Sequence, residues 1–184
     1  MRPANIKRPT LKRDDLVAPP LDVSQWFNVE QPFDLARLRG QVVVLYAFQM
    51  LCPGCVMRSL PQAQAVHQRF SRSGVSVIGV HTVFEHHEAM RPPALEAFVH
   101  EYRLQFPIGV DRASGSGPIP STMRAYQLRG TPSLIVIDRF GRIRHAVFGH
   151  VDDLQLGFWL GSLSTETSTI SDAPGVEEQE PFKP

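Results

Sequence analysis

The sequence predicts an α/β fold: a three-layer sandwich with a mixed central sheet, helices on both faces and an N-terminal hairpin extension. Three observations predict it. Gln41–Phe48, Val75–Val80 and Ser133–Asp138 are continuous apolar runs rich in β-branched residues, the composition of strands buried on both faces. Stretches with apolar residues at helical spacing stand between them. The ordered pattern then closes with a turn, an alternating strand and a last helix, which adds an antiparallel edge to a parallel sheet.

The elements follow in order. Residues 1–20 form a basic leader with Arg2, Lys7, Arg8, Lys12 and Arg13 among prolines, read as solvated and flexible. The domain spans 21–162. Val23–Phe27 followed by Gln31–Leu38 reads as a short hairpin and lead-in turn. After the first core strand, Pro53 to Phe70 carries Val56, Leu60, Ala63, Val66 and Phe70 on one helical stripe. Pro61 inside it predicts a kink, and Gly74 ends it. Pro92 and Pro93 open a helix with Leu95, Phe98, Val99 and Tyr102 on one face. Phe106–Val110 is a short strand, 111–120 a Gly/Ser/Pro loop, and Ser121 a cap for a short helix through Tyr126. Arg142–Phe148 alternates as a half-exposed strand, and Asp152 and Asp153 suit the start of a last helix through Leu160. Residues 163–184 read as a loose polar tail.

Composition narrows the function. The formal net charge is +1 over 184 residues, so no strong field favours nucleic acid or an anionic membrane as partner. No apolar run approaches a membrane span. No hydrophobic core of a secretory signal follows the basic leader, so the expected compartment is the cytoplasm. The chain has two cysteines, too few for a disulfide scaffold.

Those two residues form the most specific motif, Cys52-Pro53-Gly54-Cys55, between a buried strand and an amphipathic helix. Cys52 falls at the helix N-cap, where free N–H groups and the dipole favour a thiolate. Pro53 suits the first helical turn. Cys55 lies one turn deeper, where it can close a reversible disulfide, so one thiolate attacks and a sheltered thiol resolves. The alternatives are half a zinc site, inert buried thiols, or copper handling with a histidine as third ligand. A second CxxC and an HxxxH are both absent from the chain. The second motif is Gly130-Thr131-Pro132 directly before a core strand.

Together, the apolar strand, CPGC, a helix with an interior proline, the later Thr-Pro and the closing hairpin resemble the thioredoxin-like superfamily over residues 20–162. The closest resemblance is to its redoxin branch, the TlpA-like and DipZ C-terminal-like domains. Gly79-Val80-His81-Thr82 and the helix after it match the DipZ pattern. The resemblance implies a thioredoxin-like three-layer sandwich and thiol–disulfide oxidoreductase chemistry. The redox-active Cys52–Cys55 pair would serve in place of any cofactor or metal. Pro132 would be cis and pack against the cysteines, and the Thr131 backbone would pair with a substrate chain, with Gly130 beside it. Partners would be protein or small-molecule disulfides and a thiol reductant.

The pattern also departs from the family. Tyr46 stands where thioredoxins carry a buried Asp, a group that would take a proton from the resolving thiol. Arg58 replaces the Glu of TlpA-like proteins, and its charge predicts lowered thiol pKa values nearby. Leu51 replaces the Trp before the first cysteine, and Met50 with Leu51 suggests either an apolar rim for a partner peptide or a buried packing role. Pro61 sits one residue later than the usual helix proline. Pro53-Gly54-Cys55 with Leu60-Pro61 resembles a peroxiredoxin subgroup, in which Cys55 would attack peroxide and Cys52 would resolve. Peroxiredoxins, however, carry Pro at Phe48, Thr at Cys52 and Arg at Pro132; the nearby arginine is Arg129.

His81 should end near the cysteines as proton shuttle, charge neighbour or simply a hydrogen-bonded loop histidine. His86 and His87 read as a solvated turn, and Phe84, Phe106 and Phe148 as core. Three functions are carried forward: thiol–disulfide oxidoreductase, thiol peroxidase acting on peroxides, and a non-enzymatic metal- or partner-binding module.

Overall fold

The computed structural model describes residues 16–31, 34–115 and 117–166. Most of the basic leader and of the polar tail lies outside the described residues. Six strands form one sheet: β1 (Val23–Phe27), β2 (Val42–Phe48), β3 (Val75–His81), β4 (Ile108–Asp111), β5 (Ser133–Ile137) and β6 (Ile143–Phe148). Their spatial order is β1-β4-β3-β2-β5-β6. β2, β3 and β4 run parallel, whereas β1, β5 and β6 pair antiparallel with their neighbours. All seven residues of β2 are buried, as expected of a central strand covered on both faces.

Strand alternation divides the core in two. Val42, Val44, Tyr46 and Phe48 face one layer. There they meet α1 (Leu60–Phe70), α2 (Pro92–Glu101) and α4 (Asp153–Thr165) through Leu60, Ala63, Leu95, Leu156 and Leu160. Val43 and Leu45 face the other layer, which holds Leu21, Trp26, Leu35, Leu38, Tyr126 and Leu128. The short helix α3 (Ser121–Ala125) leads directly into Tyr126, which packs on that side. Two crossovers in the same direction, β2 to β3 and β3 to β4, put α1 and α2 on one face.

Three expectations are corrected. The N-terminal hairpin does not form: β1 pairs with β4, and Leu35–Leu38 is a 3-10 turn. Asp34 explains the turn, since its side chain accepts the Arg37 N–H at 3.0 Å. Ser121 does not cap α3 with its side chain. The buried Asp111 carboxylate does so from β4, accepting the Thr122 and Met123 N–H groups at 2.7 and 2.9 Å. The last helix continues through Thr165, so the polar tail does not begin at 163. Leu163 extends the buried stripe of Leu156 and Leu160, and Ser164 returns its hydroxyl to the Leu160 carbonyl at 2.7 Å.

The Pro61 kink takes a specific form. Cys55–Ser59 is one π-helical turn, in which the Leu60 N–H reaches back to the Cys55 carbonyl. The turn widens the helix just before the residue that has no N–H to donate. Gly74 ends the helical segment in the left-handed region at φ 76°, as the sequence predicts.

Candidate redox site

β2 delivers the chain to the carboxyl edge of the sheet, and a turn over Gln49–Cys52 carries it into the helix. The Cys52 N–H donates to the Gln49 carbonyl at 3.2 Å. Cys52 then caps the helix: its carbonyl accepts the N–H groups of Cys55 and Val56 at 3.0 and 3.1 Å. Its Sγ also accepts the Cys55 N–H, at 3.3 Å. The sulfur therefore faces a backbone donor of the first helical turn.

The two cysteines are free thiols with opposite environments. Cys52 is partly accessible, and Cys55 is 0% exposed. Burial pushes the Cys55 thiol far up, and the Cys52 sulfur beside it works in the same direction. Arg58 is not among the groups that shift the Cys55 thiol. Arg58 lies exposed in water, its charge is screened, and desolvation governs the neighbouring thiol.

The proline loop closes the site from the other side. The Thr131–Pro132 peptide is cis. The Pro132 ring lies close to Gly54: a Cβ added there would stand 3.5 Å from Pro132 Cδ, in ordinary van der Waals contact. The Thr131 carbonyl lies 3.6 Å from Cys52 Sγ and can accept its S–H. Pro132 is held from behind, its carbonyl accepting the Gly149 N–H at 2.8 Å. Gly130 is buried beside the Phe148 ring, and its carbonyl accepts the Ser133 hydroxyl at 2.7 Å. Pro53 is exposed at the first helical turn.

Met50 and Leu51 divide between the two roles read from the sequence. Leu51 is 57% exposed but Met50 is buried. Phe148, expected in the core, is 60% exposed and stands against Gly130. Its place on an edge strand next to Gly149 turns it toward the proline loop. Phe106 is core, and Phe84 is half-buried.

Of the supporting candidates, Tyr46 is buried, and its hydroxyl donates to Gln62 Oε1 at 3.1 Å. The Gln62 amide continues to the Val151 carbonyl at 2.8 Å and to Asp153 Oδ1 at 2.6 Å. Asp153 was read from the sequence only as a helix start, and Gln62 was not singled out. His81 is buried at the end of β3, and its Nε2 accepts the Met50 N–H at 3.4 Å. His86, His87 and Arg129 are exposed. Among the described residues, no group of three or more His, Cys, Asp or Glu side chains is placed to hold a metal ion. No helix among them is long and apolar enough to cross a membrane.

Comparison with known proteins agrees with this geometry. The model of the AhpC/TSA family matches residues 17–146. A protein named DipZ from Mycobacterium bovis is 31% identical over 132 residues, 71% of this chain and 18% of the relative. The DipZ of Mycobacterium tuberculosis matches equally. The chain therefore spans about a fifth of the length of these curated relatives. Among solved structures, a thioredoxin-like superfamily protein superposes with TM-score 0.80 at 54% identity, covering 83% of this chain and 99% of that one. A thiol-disulfide isomerase from Corynebacterium glutamicum superposes with TM-score 0.77 at 53% identity, covering 82% and 98%.

Proposed function

The chain belongs to the AhpC/TSA family and has a thioredoxin fold, and on that premise we propose that it is a thiol–disulfide oxidoreductase in which Cys52 attacks and Cys55 resolves. One observation carries the order of attack: Cys52 reaches solvent at a helix N-terminus while Cys55 is 0% exposed beneath it.

The steps follow from the geometry. The Cys52 thiolate attacks one sulfur of a disulfide, and the other sulfur leaves as a thiolate and takes a proton from water. The new Cys52–substrate disulfide lies against Thr131 and Pro132. Cys55 then gives its proton to water, attacks Cys52 Sγ and expels the second substrate sulfur as a thiolate, which takes a proton from water. Two electrons pass to the substrate and the protein keeps a Cys52–Cys55 disulfide, which a thiol reductant returns to the dithiol. The pair itself stores the electrons, without a bound cofactor.

Protein disulfides are the substrates we propose, because the family resemblance implies that a substrate chain pairs with the Thr131 backbone. A thiol-disulfide isomerase at 53% identity supports the same substrate class. The peroxidase reading needs Cys55 as first attacker, and its burial and its raised thiol pKa make it the poorer nucleophile.

Trapping tests the assignment. A Cys55→Ser variant should accumulate mixed disulfides through Cys52, and Cys52→Ser should accumulate none. If Cys52→Ser keeps the first oxidation step while Cys55→Ser loses it, Cys55 is the attacking residue and the mechanism is overturned.

A further inference from the structure

We propose that His81 is a positioning residue for the nucleophile: its imidazole Nε2 holds the Met50 amide, and through it the Met50–Leu51–Cys52 turn. The proposal rests on the reading of Cys52 as the attacking thiol.

His81 is the last residue of β3, directly opposite Phe48 in the parallel register. Its ring is 1% exposed and leans on the Phe48 ring at a centroid distance of 5.3 Å. The turn after β2 has few anchors. The Thr82 N–H donates to the Phe48 carbonyl at 3.0 Å, and the Cys52 N–H to the Gln49 carbonyl at 3.2 Å. Between them the Met50 N–H donates to a side chain, His81 Nε2, at 3.4 Å. A backbone donor this deep needs an acceptor. The acceptor is on the neighbouring strand, so β3 fixes where the turn leaves the sheet.

The chemistry of the ring fits the role. Burial lowers its pKa to about 4, so at neutral pH the imidazole is uncharged and has one free lone pair. With Nε2 accepting, the proton is on Nδ1, which has no partner among the described residues. Gln49 Nε2, just past the end of β2, is also buried without a hydrogen-bond partner among the described residues. A site serving packing alone would be filled at lower cost by apolar side chains. Unpaired polar groups beside a nucleophile turn mark a place where hydrogen bonding is retained at some cost to stability.

Two variants of the full chain separate positioning from packing. His81→Leu fills the space without an acceptor, and His81→Gln carries an amide oxygen at about the reach of Nε2. The readout is the rate at which reduced protein reacts with a model aromatic disulfide and with iodoacetamide, with the labelled cysteine identified by mass spectrometry. His81→Leu should react about tenfold more slowly, the worth of one hydrogen bond, and His81→Gln should recover most of that loss. Equal rates in wild type and His81→Leu, or no recovery in a folded His81→Gln, overturn the proposal. Should His81→Leu not fold, nitrogen NMR of the wild type decides: an unprotonated Nε2 at pH 7 supports the proposal and a protonated one overturns it. Label on Cys55 instead of Cys52 in the wild type overturns the nucleophile assignment and this proposal together. Label on Cys52 throughout, with no rate change in His81→Leu, overturns this proposal alone.

Discussion

Tyr46 occupies the position where a buried carboxylate would have served the resolving thiol, and it has a different task. Burial holds its phenol above the ordinary range, and the Asp153 carboxylate pushes the same way, so the hydroxyl stays protonated and donates. It donates to Gln62, which in turn ties α1 to the segment leading into α4. Tyr46→Phe should therefore leave thiol exchange within about twofold of wild type and cost about 1–2 kcal/mol in urea unfolding, because Gln62 Oε1 loses its partner. A large loss of activity with unchanged stability would contradict this. Cys55 supplies a second prediction. Its thiol is held well above the usual range by burial, so its thiolate fraction is small at neutral pH. The rate of resolving a preformed Cys52 mixed disulfide should rise about tenfold per pH unit through the neutral range. A flat profile in quench experiments would mean that another group takes the proton.

At the scale of elements, the segments that sequence placed well are those whose reason is local. β2 was legible because a run of apolar β-branched residues has no other home than a covered strand. The turn into the helix was legible because CPGC carries its own capping residue. The missing hairpin and the extended α4 were not legible, for the same reason in each case. Polar side chains that look like breakers bond back to the backbone: Asp34 to the Arg37 N–H, Ser164 to the Leu160 carbonyl. The start of α4 also matters to the site, since Asp153 at its first turn anchors Gln62. Asp152 caps that turn, accepting the Leu154 and Gln155 N–H groups at 2.9 and 3.3 Å. Asp152→Ala should cost about 1 kcal/mol. A thermal melt unchanged from wild type would show that packing of Leu156, Leu160 and Leu163 alone holds the helix.

Across the whole molecule, the candidate site gathers at the carboxyl edge of the sheet from segments far apart in the chain. Cys52, Cys55 and Pro132 were legible because each is part of a short motif. The bonds from His81 to Met50 and from Gln62 to Asp153 span 31 and 91 residues, and only the fold brings those partners together. The same burial that makes His81 a neutral acceptor couples global stability to pH. Its folded pKa lies near 4 against 6.5 for an unperturbed histidine. The unfolded chain therefore binds a proton in that window that the native state refuses, so stability is full above about pH 6.5 and falls as pH drops toward 4. The gap is worth at most about 3 kcal/mol. Asp111 acts in the opposite sense, because burial raises its pKa and its protonation favours the native state at the acid end. Urea midpoints measured between neutral pH and pH 4.5 should thus decline for the wild type, and the decline should flatten in His81→Gln, which has nothing to protonate there. Equal slopes in the two proteins would show that His81 titrates alike folded and unfolded, and that the buried ring has access to water.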